Sequence, residues 1–302
     1  MTDYANIHPE LAVSADIADL TALWQRAFGD EPEYTEIFVN EFFVDGYSNP
    51  VIRIDGKVVC MLTLIEVSIR ESGMPFTKGA YIHAAATDTA YRSKGLMRRL
   101  MEYTIELGIA RGYSALILIP ANDGLFDFYA NLGFKDTFYQ YTAAYTADNS
   151  GRCELIDVDI SDDDVWEDFY KAYVEYNSAQ SLTAIKERGF FDYTMREYFC
   201  DGAMLDGVAV DGELMGYLLY RIGDDEAVQI EQYIPSNPNF DQRNLRGIFE
   251  GEIRLKCDYA LAQSMGVETA ATRFGMMYPL NERVKTLRGY AKQTPYIGIF
   301  GE

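Results

Sequence analysis

Thr87-Asp88-Thr89-Ala90-Tyr91-Arg92-Ser93-Lys94-Gly95-Leu96-Met97 leaves a strand, turns and enters a helix. The first four backbone N–H groups of a helix have no intrahelical partner, and they point outward with the positive end of the helix dipole. Such a start is a seat for a pyrophosphate. Gly95 lacks the Cβ that would hold a phosphate away. Arg92, Lys94, Arg98 and Arg99 gather four cations in a chain whose formal net charge is −21. An anion-binding loop at a strand-to-helix turn is therefore the starting point for the fold.

Working outward, Gly79 to Thr87 reads as the strand that feeds the loop, and Gly95 to Arg111 as the helix that follows. Leu96, Leu100, Tyr103 and Leu107 lie on one face of that helix. Upstream, the stretch from Pro50 to Ile65 alternates as two strands joined at Asp55-Gly56, a strong hairpin signal. Two helices precede it. Asp16 to Phe28 carries the stripe Ile17, Leu20, Leu23, Trp24 and Phe28, with Ser14 or Asp16 as cap; Glu33 to Phe43 follows in similar rhythm. Downstream, the almost wholly apolar Ser114 to Ile119 is expected as a central strand. A short helix from Leu125 to Asn131 stops at Gly133, and Phe134 to Tyr145 runs out as a strand.

A second constellation, Asn122-Asp-Gly-Leu-Phe-Asp-Phe-Tyr-Ala-Asn-Leu-Gly-Phe134, follows the central strand directly. It places Tyr129 late on the short helix, where its phenol points toward the mouth of the sheet. The two constellations, in this order, resemble the GNAT (Gcn5-related N-acetyltransferase) superfamily over residues 10 to 145. The family's loop, approximately V-D-P-x-x-R/Q-x-x-G-x-G/A, stands here as Thr87 to Met97, with Met97 replacing its last small residue. Its later N-x-x-A-x-x-x-Y-x-x-x-GF motif stands as Asn122 to Phe134, with Leu125 replacing the Ala. An R-x-x-G-L-x loop in a tandem chain is similar to the Eis branch, although this chain is too short for that branch's sterol-carrier-like domain.

Beyond a polar linker at Ala147 to Arg152 the element order repeats: a strand at Cys153 to Ile160, helices at Asp162 to Tyr176 and Leu182 to Phe199, and a hairpin at Met204 to Arg221 turning at Asp211-Gly212. Then come a strand at Ala227 to Ile234, a long helix at Gly251 to Met265, and strands at Glu268 to Phe274 and Tyr296 to Phe300. The expected architecture is α/β (α+β, mixed sheet) with tandem GNAT-like domains, 1–147 catalytic and 152–302 degenerate. Asn237 to Gly247 has no R-x-x-G helix start, so the second half is expected to shape the substrate cleft or a homo-oligomer surface.

Composition narrows the function. The chain has 302 residues with 48% apolar content, enough for two cores. Its acidity opposes binding to nucleic acid or anionic membrane and favours a cationic partner such as an amine. Two histidines exclude a His-rich metal site, and no metal is expected. Cys60, Cys153, Cys200 and Cys257 are scattered as buried, reduced thiols would be. The N-terminus lacks the basic and apolar regions of a signal peptide, so a cytoplasmic protein is expected.

The resemblance implies acetyl-CoA as acyl donor. Backbone N–H groups of Ser93, Lys94, Gly95, Leu96 and Met97, with Arg92 and Asn122 nearby, would hold the cofactor, and Ala85, Ala86 and Thr87 would bind the pantetheine arm as an added strand. A small-molecule amine would attack the thioester directly, with no acyl-enzyme. Tyr129, with a reference pKa of ~10, is the expected acid for a thiolate of pKa ~8.5. For the base, three groups stay open: His83, which alternation places on one strand face with Tyr81, Ala85 and Thr87; Glu66 through water; and, from the Eis branch, the C-terminal carboxylate of Glu302. A catalytically silent acyl-CoA sensor is the main rival.

Overall fold

A computed structural model describes residues 4, 7–30, 32–43, 48–71, 74–147, 151–223, 226–237, 240–281 and 296–298. The chain divides into two compact units. The first comprises Met1–Ile69, Thr77–Asp136 and Met276–Leu287, and the second Arg70–Phe76, Thr137–Gly275 and Arg288–Glu302.

In the first unit a short strand β1 (Glu10–Leu11) precedes helices α1 (Ile17–Phe28) and α2 (Pro32–Phe42). The stripe read from the sequence is buried at Leu20, Leu23 and Trp24, while Phe28 stays exposed at the helix end. Strands β2 (Pro50–Ile54) and β3 (Lys57–Glu71) form the expected hairpin. Asp55 and Gly56 have φ of 50° and 78°, the left-handed pair that a two-residue turn matched to strand twist requires. β4 (Thr77–Thr87) pairs antiparallel with β3, and α3 (Leu96–Ala110) and the central β5 (Ala115–Leu118) follow. β5 is buried along its whole length and runs parallel to β4, as its apolar sequence implies. α4 (Asp123–Ala130) closes the segment. Leu96, Leu100 and Met101 of α3 pack on Cys60, Leu62, Ile82, Leu116 and Leu118 to form one core. Each such side chain contributes about 1.5–3 kcal/mol of burial.

The second unit continues with β6 (Lys135–Thr146), β7 (Glu154–Asp157), α5 (Asp163–Ser178), β8 (Leu182–Lys186) and α6 (Arg188–Cys200). There follow β9 (Met204–Val210), β10 (Glu213–Ile222), β11 (Val228–Pro235), β12 (Glu252–Cys257), α7 (Tyr259–Met265) and β13 (Thr269–Pro279), whose last residues from Met276 on belong to the first unit. Its sheet repeats the pattern of the first. A β9–β10 hairpin turns at Asp211-Gly212, β11 is antiparallel to β10, and β12 is parallel to β11. The last strands are exchanged. The strand after α4 (β6) pairs with β12 through Tyr141–Thr146, while the end of β13, Met276–Pro279, pairs with β5.

Two helices read from the sequence are strand–helix pairs. Leu182 to Phe199 divides into β8 and α6, because Glu187 turns extended (ψ 157°) as the N-cap of α6. β8 is buried at every position, so its sequence, Leu-Thr-Ala-Ile-Lys, carries no alternation to distinguish it from a helix. Gly251 to Met265 divides into β12 and α7. Glu252, Arg254 and Lys256 alternate with the buried Ile253, Leu255 and Cys257, a period of two. Asp258 then caps α7 by accepting from the Leu261 N–H at 2.9 Å. Of the strand expected at Tyr296 to Phe300, residues 296–298 are in no strand, and Ile299 and Phe300 lie outside the described residues, as does Glu302.

Candidate active site

β4 and β5 are in register only at Ala80↔Leu116 and Tyr81↔Ile117, after which β4 runs on to Thr87 without a β5 partner among the described residues. β5 itself ends at Leu118. A bulge lies in the same stretch. The β3 register passes from Thr63↔His83 to Met61↔Ala86, and Ala84 takes a φ of 52°, in the left-handed region that L-residues avoid. The extra residue reverses the alternation. Tyr81, His83 and Ala86 share one face, while Thr87, opposite Cys60, faces the other. The expectation that Tyr81, His83, Ala85 and Thr87 share a face is therefore corrected, because period-two counting does not survive a bulge.

At the end of β4, Asp88 accepts from the Ala90 N–H at 3.0 Å and caps the 3-10 turn Thr89–Tyr91. Ser93 and Gly95 then take φ of 61° and 76°. Left-handed backbone of this kind is used to build anion-binding concavities from successive N–H groups. Gly95 is the N-cap of α3, so no side chain caps the helix, and a Cβ at Gly95 would meet nothing within 4 Å. Ser93, Lys94 and Gly95 are exposed; the Leu96 side chain is buried and Met97 partly buried against the core, which leaves their backbone amides at the helix start.

Two of the four cations, Arg92 and Lys94, are turned onto the loop itself. Arg92 Nε donates to the Thr87 carbonyl at 3.1 Å. Lys94 Nζ donates to the Ala90 carbonyl at 2.7 Å and sits 4.8 Å from the ring centroids of both Tyr4 and Tyr91. Asn122 is the N-cap of α4 and accepts from the Leu125 N–H at 3.2 Å. That cap starts the helix at Asp123 and sets the phase that turns Tyr129 inward.

Tyr129 is 6% exposed and packs on Phe128 and Phe134. Gly133 lets the chain return beside it: its φ is 98°, and a Cβ there would lie 2.9 Å from the Tyr278 ring. Burial, and then proximity to Cys60, push the Tyr129 phenol up to about 12. Cys60 was not singled out by motif reading, yet it joins the two motifs. Its Sγ lies 3.2 Å from Thr87 Oγ1, and burial pushes its thiol up to about 12. The β3–β4 register is the one signal that would have found it.

His83 and Glu66 are not brought to Tyr129. His83 faces α1 and α2, with Phe38 at 5.1 Å and Trp24 and Tyr81 each at 5.8 Å between ring centroids. Glu66, paired in register with Ala80, accepts from Tyr113 Oη at 3.0 Å and binds Lys78 at 3.1 Å. No group of three or more His, Cys, Asp or Glu is placed to hold a metal among the described residues. Nor is any described helix long and apolar enough to cross a membrane.

Residues 9–136 match the acetyltransferase (GNAT) domain family. No curated protein matches the chain. In fold it is similar to a probable N-acyltransferase from Enterococcus faecalis V583, with a TM-score of 0.73 and 16% identity over 91% of this chain and 73% of that one. It is likewise similar to Eis1 from Mycobacterium abscessus (TM-score 0.67, 12% identity, 91% and 74% covered). A putative acetyltransferase from Pyrococcus horikoshii gives a TM-score of 0.53 and 15% identity, with 100% and 96% covered. At such identities the likeness establishes the fold. The first unit therefore contains a GNAT domain, and the chain as a whole shares the fold of these structures.

Proposed function

We propose that the protein transfers an acetyl group from acetyl-CoA to an amine of a small, cationic acceptor by direct attack. The observation that carries this reading is the α3 start, where exposed amides follow left-handed Ser93 and Gly95, with no side-chain cap, at the open end of β4. Amides of Ser93 to Met97 would take the pyrophosphate, with Arg92 holding the loop and Asn122 capping α4. Ala85, Ala86 and Thr87, on the stretch of β4 without a β5 partner, would bind the pantetheine arm. In this scheme residues 1–147 are the catalytic domain and 152–302 a degenerate copy.

The attacking amine would lose its proton toward the His83 side while the thiolate leaves toward Tyr129. A phenol at about 12 and a thiolate near ~8.5 differ by some 3–4 pK units, roughly 5 kcal/mol uphill for full transfer. Tyr129 thus acts chiefly as a hydrogen-bond donor to the developing thiolate, with proton transfer completed late. Cys60, held protonated at the same place, does not compete as a nucleophile. The burial of Tyr129 also favours a second reading, an acyl-CoA sensor without turnover.

Acetyl-CoA should raise the melting temperature of the wild type, and Gly95→Glu should erase that shift by setting a carboxylate among the phosphate-binding amides. An undiminished shift in Gly95→Glu would sink the loop assignment. Release of free CoA thiol over a panel of amines separates enzyme from sensor. For a cationic acceptor at saturating acetyl-CoA, kcat/KM should fall with added salt.

A further inference from the structure

The turn that launches the loop carries a negative charge of its own. Asp88 is held at four points: its N–H donates to the Val59 carbonyl at 2.9 Å, its carbonyl accepts from Tyr91 at 2.8 Å, and Oδ1 accepts from Ala90 at 3.0 Å. Oδ2 takes two donors from Arg26, Nη2 at 2.9 Å and Nε at 3.2 Å. The Asp88 side chain is 19% exposed, so its charge is only partly solvated. Ala90, whose amide Asp88 caps, is also the residue whose carbonyl holds Lys94. The carboxylate and the exposed amides of residues 93–95 thus belong to one short loop. An unneutralised carboxylate there would oppose any diphosphate arriving at those amides. Arg26 stands in the last turn of α1, outside both sequence motifs and 62 residues from Asp88.

We infer that Arg26 is a positioning residue for donor binding: its guanidinium neutralises Asp88, so that the loop keeps its cap without repelling an anionic ligand. This rests on the reading of the loop as the donor site. The same α1 carries Trp24 against His83, so one helix supports both the loop and the opposite face of β4.

The test is the affinity of free CoA for the full chain, measured by calorimetry without an acceptor. Arg26→Ala should weaken binding by roughly three- to tenfold at low salt, with the difference closing toward 1 M as the Debye length shrinks to ~3 Å. Arg26→Lys, which keeps the charge, should bind nearly as the wild type does. The double variant Arg26→Ala/Asp88→Asn should regain most of the lost affinity, since no charge is left to neutralise; a merely mechanical strut predicts no such recovery. Wild-type affinity in Arg26→Ala, or a double variant as weak as the single one, overturns the proposal. Failure of the wild type to bind CoA at all overturns the loop reading and takes this inference with it.

Discussion

The two units share a strand plan and differ at one bulge. In the first, the parallel β4–β5 ladder ends at Tyr81↔Ile117, and the bulge that follows is made of Ala84 and Ala85. In the second, β11 and β12 pair from Val228↔Ile253 to Ile230↔Leu255, and the β10 register then skips Glu231. The Glu231 side chain is 1% exposed, and its carboxylate binds Arg221 of β10 at 2.7 Å and Lys256 of β12 at 2.8 Å. A charge clamp spans three strands where the first unit has alanine. The loops beyond differ in the same sense: α3 follows β4, whereas only a 3-10 stretch, Gln242–Gly247, follows β11. Small, uncharged residues form the bulge in the first unit, where the second unit holds a buried, doubly paired carboxylate.

The largest expected effect lies in the first unit. Tyr129→Phe deletes one hydroxyl and little packing, so kcat should fall about 10²-fold while acetyl-CoA affinity holds. Because the phenol titrates near 12, the wild-type rate should not decline through loss of this proton below about pH 10. Turnover at the wild-type rate in Tyr129→Phe would leave the tyrosine a packing residue and remove the chemical contrast between the units.

Next in size, Glu231→Ala removes the buried carboxylate that Arg221 and Lys256 share, and should cost about 2–4 kcal/mol in urea unfolding. CoA binding by the folded protein should be unchanged. Loss of binding with stability intact would mean that the second unit takes part in the donor site.

Lys186 on β8 offers the opposite sign. It is fully buried, and burial pushes its ammonium well below the usual lysine range, with Glu197 opposing. Between the lowered folded value and the ordinary lysine value, the unfolded chain therefore binds a proton that the folded chain has lost. The resulting penalty is largest at and below neutral pH and fades as pH rises toward ~10.5. Lys186→Met should stabilise by roughly 1–2 kcal/mol at pH 7, and the gain should shrink by pH 10. A gain that does not change with pH would assign the effect to packing.

The smallest effect concerns the bulge itself. Ala84→Gly relieves a left-handed alanine at about 1–2 kcal/mol but frees the unfolded chain, so a net gain of about 0.5 kcal/mol in melting experiments is expected. A clear loss would show that the Ala84 methyl, not its backbone, holds the bulge.

Much of this was legible in the chain itself. The loop from Thr87 to Met97, the α4 cap at Asn122, the Asp-Gly hairpins and the apolar β5 are local signals, decided by dihedral preference, capping and short-range hydrophobic period. These suffice for the element order and for the family of the first unit. Elsewhere local signals are silent or degenerate: β8 has no readable period because every position is buried, and β12 runs almost directly into the helix behind it. Tertiary structure alone decided the bulge at Ala84, which puts His83 and Thr87 on opposite faces. It likewise decided the meeting of Cys60 with Thr87, the Arg26–Asp88 pair, the exchange of last strands and the clamp on Glu231. The reason is common to all of these: each depends on which distant segment supplies the partner, and register, burial and counter-charge exist only once that partner is in place.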